Sequence, residues 1–452
     1  VVAAVAAATT ACQVNQQMWA PCAPAADGNP FGADATYVLI CRNGRWEPIM
    51  TIEEHLRIRR GEWVIIGPLP QPPAENPPPP PPPPEVVEIT AGSLHTCARY
   101  DDGTAKCWGS NGSGQLGNPG ASTWTPVAVT LDGITELVAG GEHTCAIRTD
   151  TTLWCWGRNI GGELGRADSV GTPNPNPVPA PVMKGPQPLD GVVDVSTGDT
   201  STCAVLATGR VYCFGLNFFG QLGTSTNLGT NNPNSSPILV AGLTEVEAVT
   251  AFADHACALR SNDAASCWGS NLNGQLGSGD TTASWSPIGV NSLGIDEVAV
   301  GYMHTCAATW NARARCWGRN MDGQLGTAVN AGTNNPTSSP IEVPNLTDVG
   351  GITAGEEHTC TSTTVERVKC WGNNEYGQLG RSTPGVDYSS TPTLIGDLTD
   401  VSAVVAGRDH TCALSTTGTV SCWGLNVSGQ LGRFPNFNTA SPNPTPWAVI
   451  GL

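Results

Sequence analysis

Fourteen cysteines of this chain form seven pairs, and the two members of every pair stand ten residues apart. Cys97 goes with Cys107, Cys145 with Cys155, Cys203 with Cys213, Cys257 with Cys267, Cys306 with Cys316, Cys360 with Cys370 and Cys412 with Cys422, and successive pairs follow at intervals of 48 to 58 residues. Each pair sits inside one recurring phrase, A-G-x-x-H-T-C, nine residues, then C-W-G-x-N-x-x-G-Q-L-G. A short element of fixed length joined by variable connectors is the signature of a radial or solenoid array, in which one unit cannot bury its apolar face without its neighbours. The variable connectors are where such a chain carries specificity.

Pairing Cys97 with Cys107 sets Ala98 against Lys106, Arg99 against Ala105 and Tyr100 against Thr104, leaving Asp101-Asp102-Gly103 as a three-residue connection with glycine at the left-handed position. The phrase therefore predicts a β-hairpin. Ala207-Thr208-Gly209 and Thr416-Thr417-Gly418 repeat that chemistry, whereas Trp310-Asn311-Ala312 and Thr364-Val365-Glu366 lack the glycine and are expected to be tighter or distorted. Residues opposed on antiparallel strands lie within disulfide reach, so seven cross-strand disulfides are expected. Each closes a loop of about eleven residues, worth roughly 2.5 to 3 kcal/mol in the chain-entropy description. A metal site would need further ligands converging on the two sulfurs, and seven equivalent copies argue against one activated thiol.

The aromatic after the second cysteine (Trp108, Trp156, Phe214, Trp268, Trp317, Trp371, Trp423) is expected to pack between repeats. The glycine-rich run that follows, as in Gly109 to Gly117, lacks the lysine and the strand-to-helix setting of a phosphate loop, and reads as a tight turn over a buried leucine such as Leu116 or Leu276. Six of the seven histidines, His95, His143, His255, His304, His358 and His410, share one repeat position, and Ser201 takes it in the third copy. Spread around an array they do not converge as catalysis or metal binding requires, so they are expected to hydrogen-bond the turn before the hairpin.

Taken together, G-x-x-H-T-C-A-L, C-W-G-x-N and G-Q-L-G resemble the repeat of the regulator of chromosome condensation family over residues 85 to 452. The resemblance implies an all-β, seven-bladed β-propeller, here with two cysteines added to each hairpin, in a secreted bacterial-type variant. It implies fold more securely than function. The segment Pro446 to Leu452 ends the last copy and Glu85 to Gly92 begins the first, so the two end strands are expected to share one composite blade that closes the ring.

Charged residues make up only 13% of the chain and the formal net charge is -17. The family's best-known member binds chromatin and promotes nucleotide exchange on a small GTPase. An acidic chain without a basic arm is repelled by DNA, so no nucleic-acid partner is expected. Disulfides in every repeat point instead to an oxidising compartment, extracellular or at the cell surface. No run is long enough to span a bilayer as a helix.

Residues 1-66 read as a small module with an apolar arm, carrying Cys12, Cys22 and Cys41 without internal periodicity. Three cysteines cannot all pair within it, so one is expected to be free, modified, lipidated or bonded to another subunit, the last being favoured. Val1 to Ala11 reads either as the remnant of a secretion signal or as a mature apolar arm, the second being favoured, and Thr9-Thr10-Ala11 is a poor lipidation site before Cys12. Residues 67-84 are a proline-rich linker ending in eight consecutive prolines from Pro77, a semi-rigid polyproline spacer.

No catalytic, cofactor or metal site is expected, since the acids are dispersed and the histidines belong to the repeat. The expected function is that of a non-enzymatic extracellular or cell-surface structural protein, its rigid propeller assembling with copies of itself through the N-terminal arm into a polymer or surface layer. The alternative is a binding or adhesion module that recognises a glycan or protein through long loops such as Gly223 to Pro237 and Gly326 to Pro340. Asn234-Ser235-Ser236 within the first of these offers a glycosylation signal.

Overall fold

The computed structural model describes the backbone of residues 31–33, 37–42 and 45–51, and residues 82–452 apart from 292–293, 383–386 and 397. By internal packing the chain divides into two units, Val1–Pro82 and Pro83–Leu452. In the first, β1 (Phe31–Ala33), β2 (Tyr37–Arg42) and β3 (Arg45–Thr51) form an antiparallel sheet in that order, with Cys41 opposite Trp46. The partners of Cys12, Cys22 and Cys41, the apolar arm and most of the proline run lie outside the described residues.

The second unit is a ring of seven four-stranded antiparallel sheets, each built from strands consecutive in sequence. Blade 1 consists of β4 (Val86–Ala91), β5 (His95–Tyr100), β6 (Ala105–Gly109) and β7 (Thr123–Ala128). β4 and its counterparts alternate buried and less buried residues, as a half-buried strand of β-branched residues should. The middle hairpin pairs as its sequence dictates: Cys97 faces Cys107, Ala98 faces Lys106 and Arg99 faces Ala105.

The seven expected disulfides are all present. They join Cys97 to Cys107, Cys145 to Cys155, Cys203 to Cys213, Cys257 to Cys267, Cys306 to Cys316, Cys360 to Cys370 and Cys412 to Cys422, with Cα atoms 4.0 to 4.2 Å apart. In every blade the two cysteines are directly opposed across the middle hairpin, and all fourteen are buried.

Hairpins without glycine keep the shape of those that have it, against the expectation of distortion. Ala312 and Glu366 adopt φ of 59° and 58°, beside 79° at Gly103, and donate the same turn bond to Thr309 and Thr363. The register fixed by the disulfide pair outweighs the local cost of a left-handed side chain.

Ring closure also differs from expectation. Trp447–Ala448 pairs with Val420–Gly424 in blade 7, while β4 pairs with β5 in blade 1, so the end strands share no composite blade. Each repeat already holds all four of its strands, and blades 7 and 1 meet face to face. Their core joins Val86, Ile89, Tyr100 and Trp108 to Leu414, Val420 and Leu431. The same scheme holds at every seam: the described residues form seven apolar clusters, each assembled from two neighbouring blades. No blade owns a complete core, which is why the array must close.

Candidate interaction face

The recurring histidine reaches across a seam. His95 Nε2 lies 2.8 Å from Thr144 Oγ1 of blade 2, and His143, His255, His304, His358 and His410 make the same contact with Thr202, Thr305, Thr359, Thr411 and Thr96 at 2.9 to 3.0 Å. Each threonine hydroxyl donates back, at 2.8 to 2.9 Å, to the carbonyl of the G-Q-L-G glutamine position on the histidine's side of the seam: Gln115, Glu163, Gln275, Gln324, Gln378 or Gln430. Its proton being used there, the imidazole must be the donor, which fixes the neutral Nε2–H tautomer. Burial lowers the pKa of all six histidines to about 3, consistent with that neutral form. The histidines do hydrogen-bond, as expected, but their partner is the next blade rather than their own turn.

The repeated tryptophan serves the same carbonyl. Trp108 Nε1 donates to Gln430 O at 3.0 Å and Trp156 Nε1 to Gln115 O at 3.0 Å, with equivalents at Trp268, Trp317, Trp371 and Trp423. At one seam the histidine–threonine pair is missing from both sides. Blade 3 has Ser201 for the histidine and blade 4 has Ala256 for the threonine, so donor and acceptor are lost together. Sequence reading noted the serine but not its partner, because the two positions are linked only through the ring.

The G-Q-L-G run is a turn held by its asparagine: Asn111 Oδ1 accepts from Leu116 N at 2.9 Å, and Leu116 and Leu276 are buried. Gly109, at φ 110°, is required because a Cβ there would stand 2.5 Å from Leu94 O. In the folded ring the Asn234 of the sequon is turned inward. Asn234 is 6% exposed and its amide donates to Gly215 O at 2.9 Å.

Backbone pairing of His95 with Gly109 and of Ser110 N with Leu94 O puts the A-G-x-x-H turn, the N-x-x-G-Q-L-G turn and the long loop after it at one end of each blade. The Asp101-Asp102-Gly103 hairpins lie at the other. The ring thus has a loop face and a hairpin face, and the long loops after the G-Q-L-G turns lie on the first.

At its centre the A-G-x-x-H turns converge. Ser93 Oγ of blade 1 donates to Asp199 Oδ1 of blade 3 at 3.4 Å, skipping blade 2. Arg408 of blade 7 forks onto Glu356 of blade 6 at 2.5 and 3.2 Å and lies 3.6 Å from Asp409. Burial, followed by the nearby Glu356, pushes Asp409 up to about 7, and burial with Asp199 pushes Asp254 up to about 6. The mouth therefore gathers carboxyls from several blades, with burial raising Asp409, Asp254 and Asp199, and Arg408 as the counter-charge.

Below it the first strands line the axis. Val249 N donates to Asp194 Oδ2 at 2.7 Å, Ile352 N to Glu297 Oε2 at 2.9 Å, and Ala139, Ala251 and Ala406 N to the hydroxyls of Thr90, Ser196 and Thr353 at 2.9 to 3.0 Å. Side chains of one blade thus satisfy the inner sheet edge of the next. Burial, then Asp194 and Glu88, raises Glu136 to about 8. These acids escaped the sequence reading, although they recur at the third position of the first strand in four copies: Glu88, Glu136, Asp194 and Glu297.

Among the described residues no group of three or more His, Cys, Asp or Glu could hold a metal ion. Two cavities, of about 400 and 260 Å³, lie away from the mouth, lined by Arg166, Asp168 and Met183 in the first and by Asp400, Ser415 and Ser421 in the second.

Known proteins share this architecture. The RCC1-like domain family matches residues 126–450, and the regulator of chromosome condensation (RCC1) repeat matches residues 86–115. The ultraviolet-B receptor UVR8 of Arabidopsis thaliana is 29% identical over 267 residues, 56% of this chain and 58% of the receptor. The human "Probable E3 ubiquitin-protein ligase HERC3" is 28% identical over 264 residues, 57% of this chain but 20% of that protein. The chain thus spans little more than half of the first relative and a fifth of the second. Yeast RCC1 (Prp20), solved with Kap60, superposes with a TM-score of 0.66 at 20% identity, covering 81% of this chain and 85% of that one. Seven blades of this topology and a family match over most of the propeller lead to one conclusion: the chain belongs to the RCC1-like domain family.

Proposed function

We propose that this protein is a non-catalytic binding scaffold, extracellular or at the cell surface, that engages its partners through the loop face of the propeller. The observation that carries this reading is the division of labour in the repeat. Its constant residues, Cys, His, Trp, Asn and Gln, are consumed in stapling and joining blades. The longest variable loops lie on one face, where the mouth residues Ser93, Asp199, Asp254, Glu356, Arg408 and Asp409 also differ from blade to blade.

Seven disulfides support an oxidising compartment. A net charge of -17 opposes a nucleic-acid partner. Yeast RCC1 (Prp20), which has the same fold, is solved bound to Kap60, and this is compatible with a protein partner here too. The three N-terminal cysteines, an odd number, favour assembly of copies of this chain through residues 1 to 66.

Fractionating the producing cells tests both parts of the proposal. The protein should be found outside the cytoplasm, and on a non-reducing gel should form a ladder that collapses with thiol. A cytoplasmic, reduced and monomeric protein overturns the reading. Loop-face variants such as Glu356→Ala with Arg408→Ala should lower retention of whatever co-purifies, whereas hairpin-face variants such as Thr417→Ala should not.

A further inference from the structure

The loop face carries two aromatic stations built to one plan. In blades 1 and 4 the fourth strand opens Thr123-Trp124-Thr125-Pro126 and Ser284-Trp285-Ser286-Pro287. Both segments fold alike, Thr125 N donating to Thr123 Oγ1 at 3.0 Å and Ser286 N to Ser284 Oγ at 3.3 Å. Thr123 and Ser284 occupy one register position, opposite Gly109 and Gly269. By the same register the other blades place Pro177, Ser235, Ser338, Ser390 and Pro444 where these two have tryptophan.

Each tryptophan lies against the N-x-x-G turn of the preceding blade. A Cβ on Gly429 would come within 2.8 to 2.9 Å of the Trp124 backbone and Cβ, and one on Gly220 within 2.9 to 3.0 Å of the Trp285 Cα and Cβ. Gly114 and Gly274 approach Pro177 and Ser338 in the same way, so this turn glycine lets the fourth strand of the next blade pass close throughout the ring. That preceding blade adds its own exposed aromatics. Phe434 is 66% exposed and edge-on to Trp124, with ring centroids 6.1 Å apart. Phe218 and Phe219, directly before Gly220, are 44% and 40% exposed with their rings 5.0 Å apart, and Trp285 is 48% exposed.

Phe218, Phe219, Trp285 and Phe434 are exposed and Trp124 is half-buried, and their grouping on two seams marks a recognition surface rather than leftover core. Their setting selects the occupant. The side chains around them are hydroxyls and amides, and Arg433, beside Phe434, is buried and donates to Asn443 at 3.1 Å. With a net charge of -17, polyanions are repelled. A protein partner covers about 800 Å² of one continuous surface, whereas these two aromatic islands are small and separated by polar loops. A sugar ring offers a flat C–H face to stack on such islands and hydroxyls for the flanking Ser, Thr and Asn. A polymer of repeated units can use both.

We propose that the station of Trp124 and Phe434 and the station of Trp285, Phe218 and Phe219 bind a neutral polysaccharide, two segments of one chain at a time. This rests on the loop face being the contact surface, and names one class of ligand for it.

The test is native affinity electrophoresis of the full chain in gels containing hydroxyethyl cellulose, laminarin, yeast mannan or dextran, with dextran sulfate as the anionic control. Retardation in at least one neutral gel is expected. Trp124→Ala and Trp285→Ala should each weaken it about tenfold or more, as loss of one of two linked contacts does, and the double variant should abolish it. Trp124→Phe with Trp285→Phe should keep most of it, which separates stacking from misfolding. No retardation in any neutral gel, retardation by dextran sulfate alone, or retardation indifferent to the double alanine variant overturns the proposal. If Glu356→Ala with Arg408→Ala removes a co-purifying partner while the tryptophan variants retain it, the loop face stands and the polysaccharide falls.

Discussion

The seam between blades 3 and 4 offers a clean test of how the ring is held. Six seams carry the relay from imidazole Nε2–H to threonine hydroxyl to carbonyl, with contacts of 2.8 to 3.0 Å, and this seam has Ser201 and Ala256 instead. The local frame for the relay is still present. Gly198 occupies the position where, in five other blades, a Cβ would stand 2.2 to 2.9 Å from the imidazole, and Gln221 O already accepts from Trp268 Nε1 at 2.9 Å. Ser201→His alone buries an imidazole N–H against the Ala256 methyl, an unsatisfied donor costing about 1 to 3 kcal/mol. Ala256→Thr alone adds a hydroxyl that can donate to Gln221 O, and should change stability by about 0.5 kcal/mol at most. In the double variant the imidazole gains its acceptor and the hydroxyl a second bond. The penalty should vanish and a net gain of about 1 kcal/mol appear, so the coupling energy is about 2 to 4 kcal/mol. Equilibrium urea unfolding of the four proteins at pH 7.5, disulfides intact, measures it. A coupling below about 0.3 kcal/mol, or a Ser201→His single variant as stable as the parent, refutes the claim that the two positions are one device.

Three further outcomes follow from the same geometry. The six histidines have folded pKa values near 3 against an ordinary 6.5, so their contribution is complete above pH 6.5 and is lost as pH falls towards 3; His304→Gln should take up one proton fewer on unfolding, read as a shallower slope of stability against pH in that window. Glu136 has the opposite sign: its folded pKa is about 8, so it weakens the ring as pH rises from about 4.5 to 8, and Glu136→Gln should add roughly 3 kcal/mol at pH 8 and almost nothing at pH 4, measured by denaturant titration at both. Ala312→Gly and Glu366→Gly should each raise stability by about 0.5 to 1 kcal/mol by relieving a left-handed side chain, whereas Gly103→Ala should lower it by a similar amount, all three read from urea midpoints.

Much of the architecture was legible because the repeat is local. The ten-residue cysteine spacing, the turn chemistry and the period of the phrase together specify hairpins, disulfides and a count of seven, since each depends on residues close in sequence. The buried leucine and the inter-blade aromatic were readable for the same reason. The structure alone determined what depends on neighbours across a seam. It assigned the histidine to a threonine 49 to 59 residues further on, or for His410 back to Thr96 across the closure, explained the joint absence of both at Ser201 and Ala256, and replaced a shared closing sheet by a closing core. It also gathered Ser93, Asp199, Glu356 and Arg408, from four blades, around one mouth, and set Trp124 beside Phe434, more than 300 residues apart. Backbone periodicity along the chain specifies a strand pair, but packing between blades is set by side-chain shape and by satisfying buried polar groups, and these acquire partners only once the ring has closed.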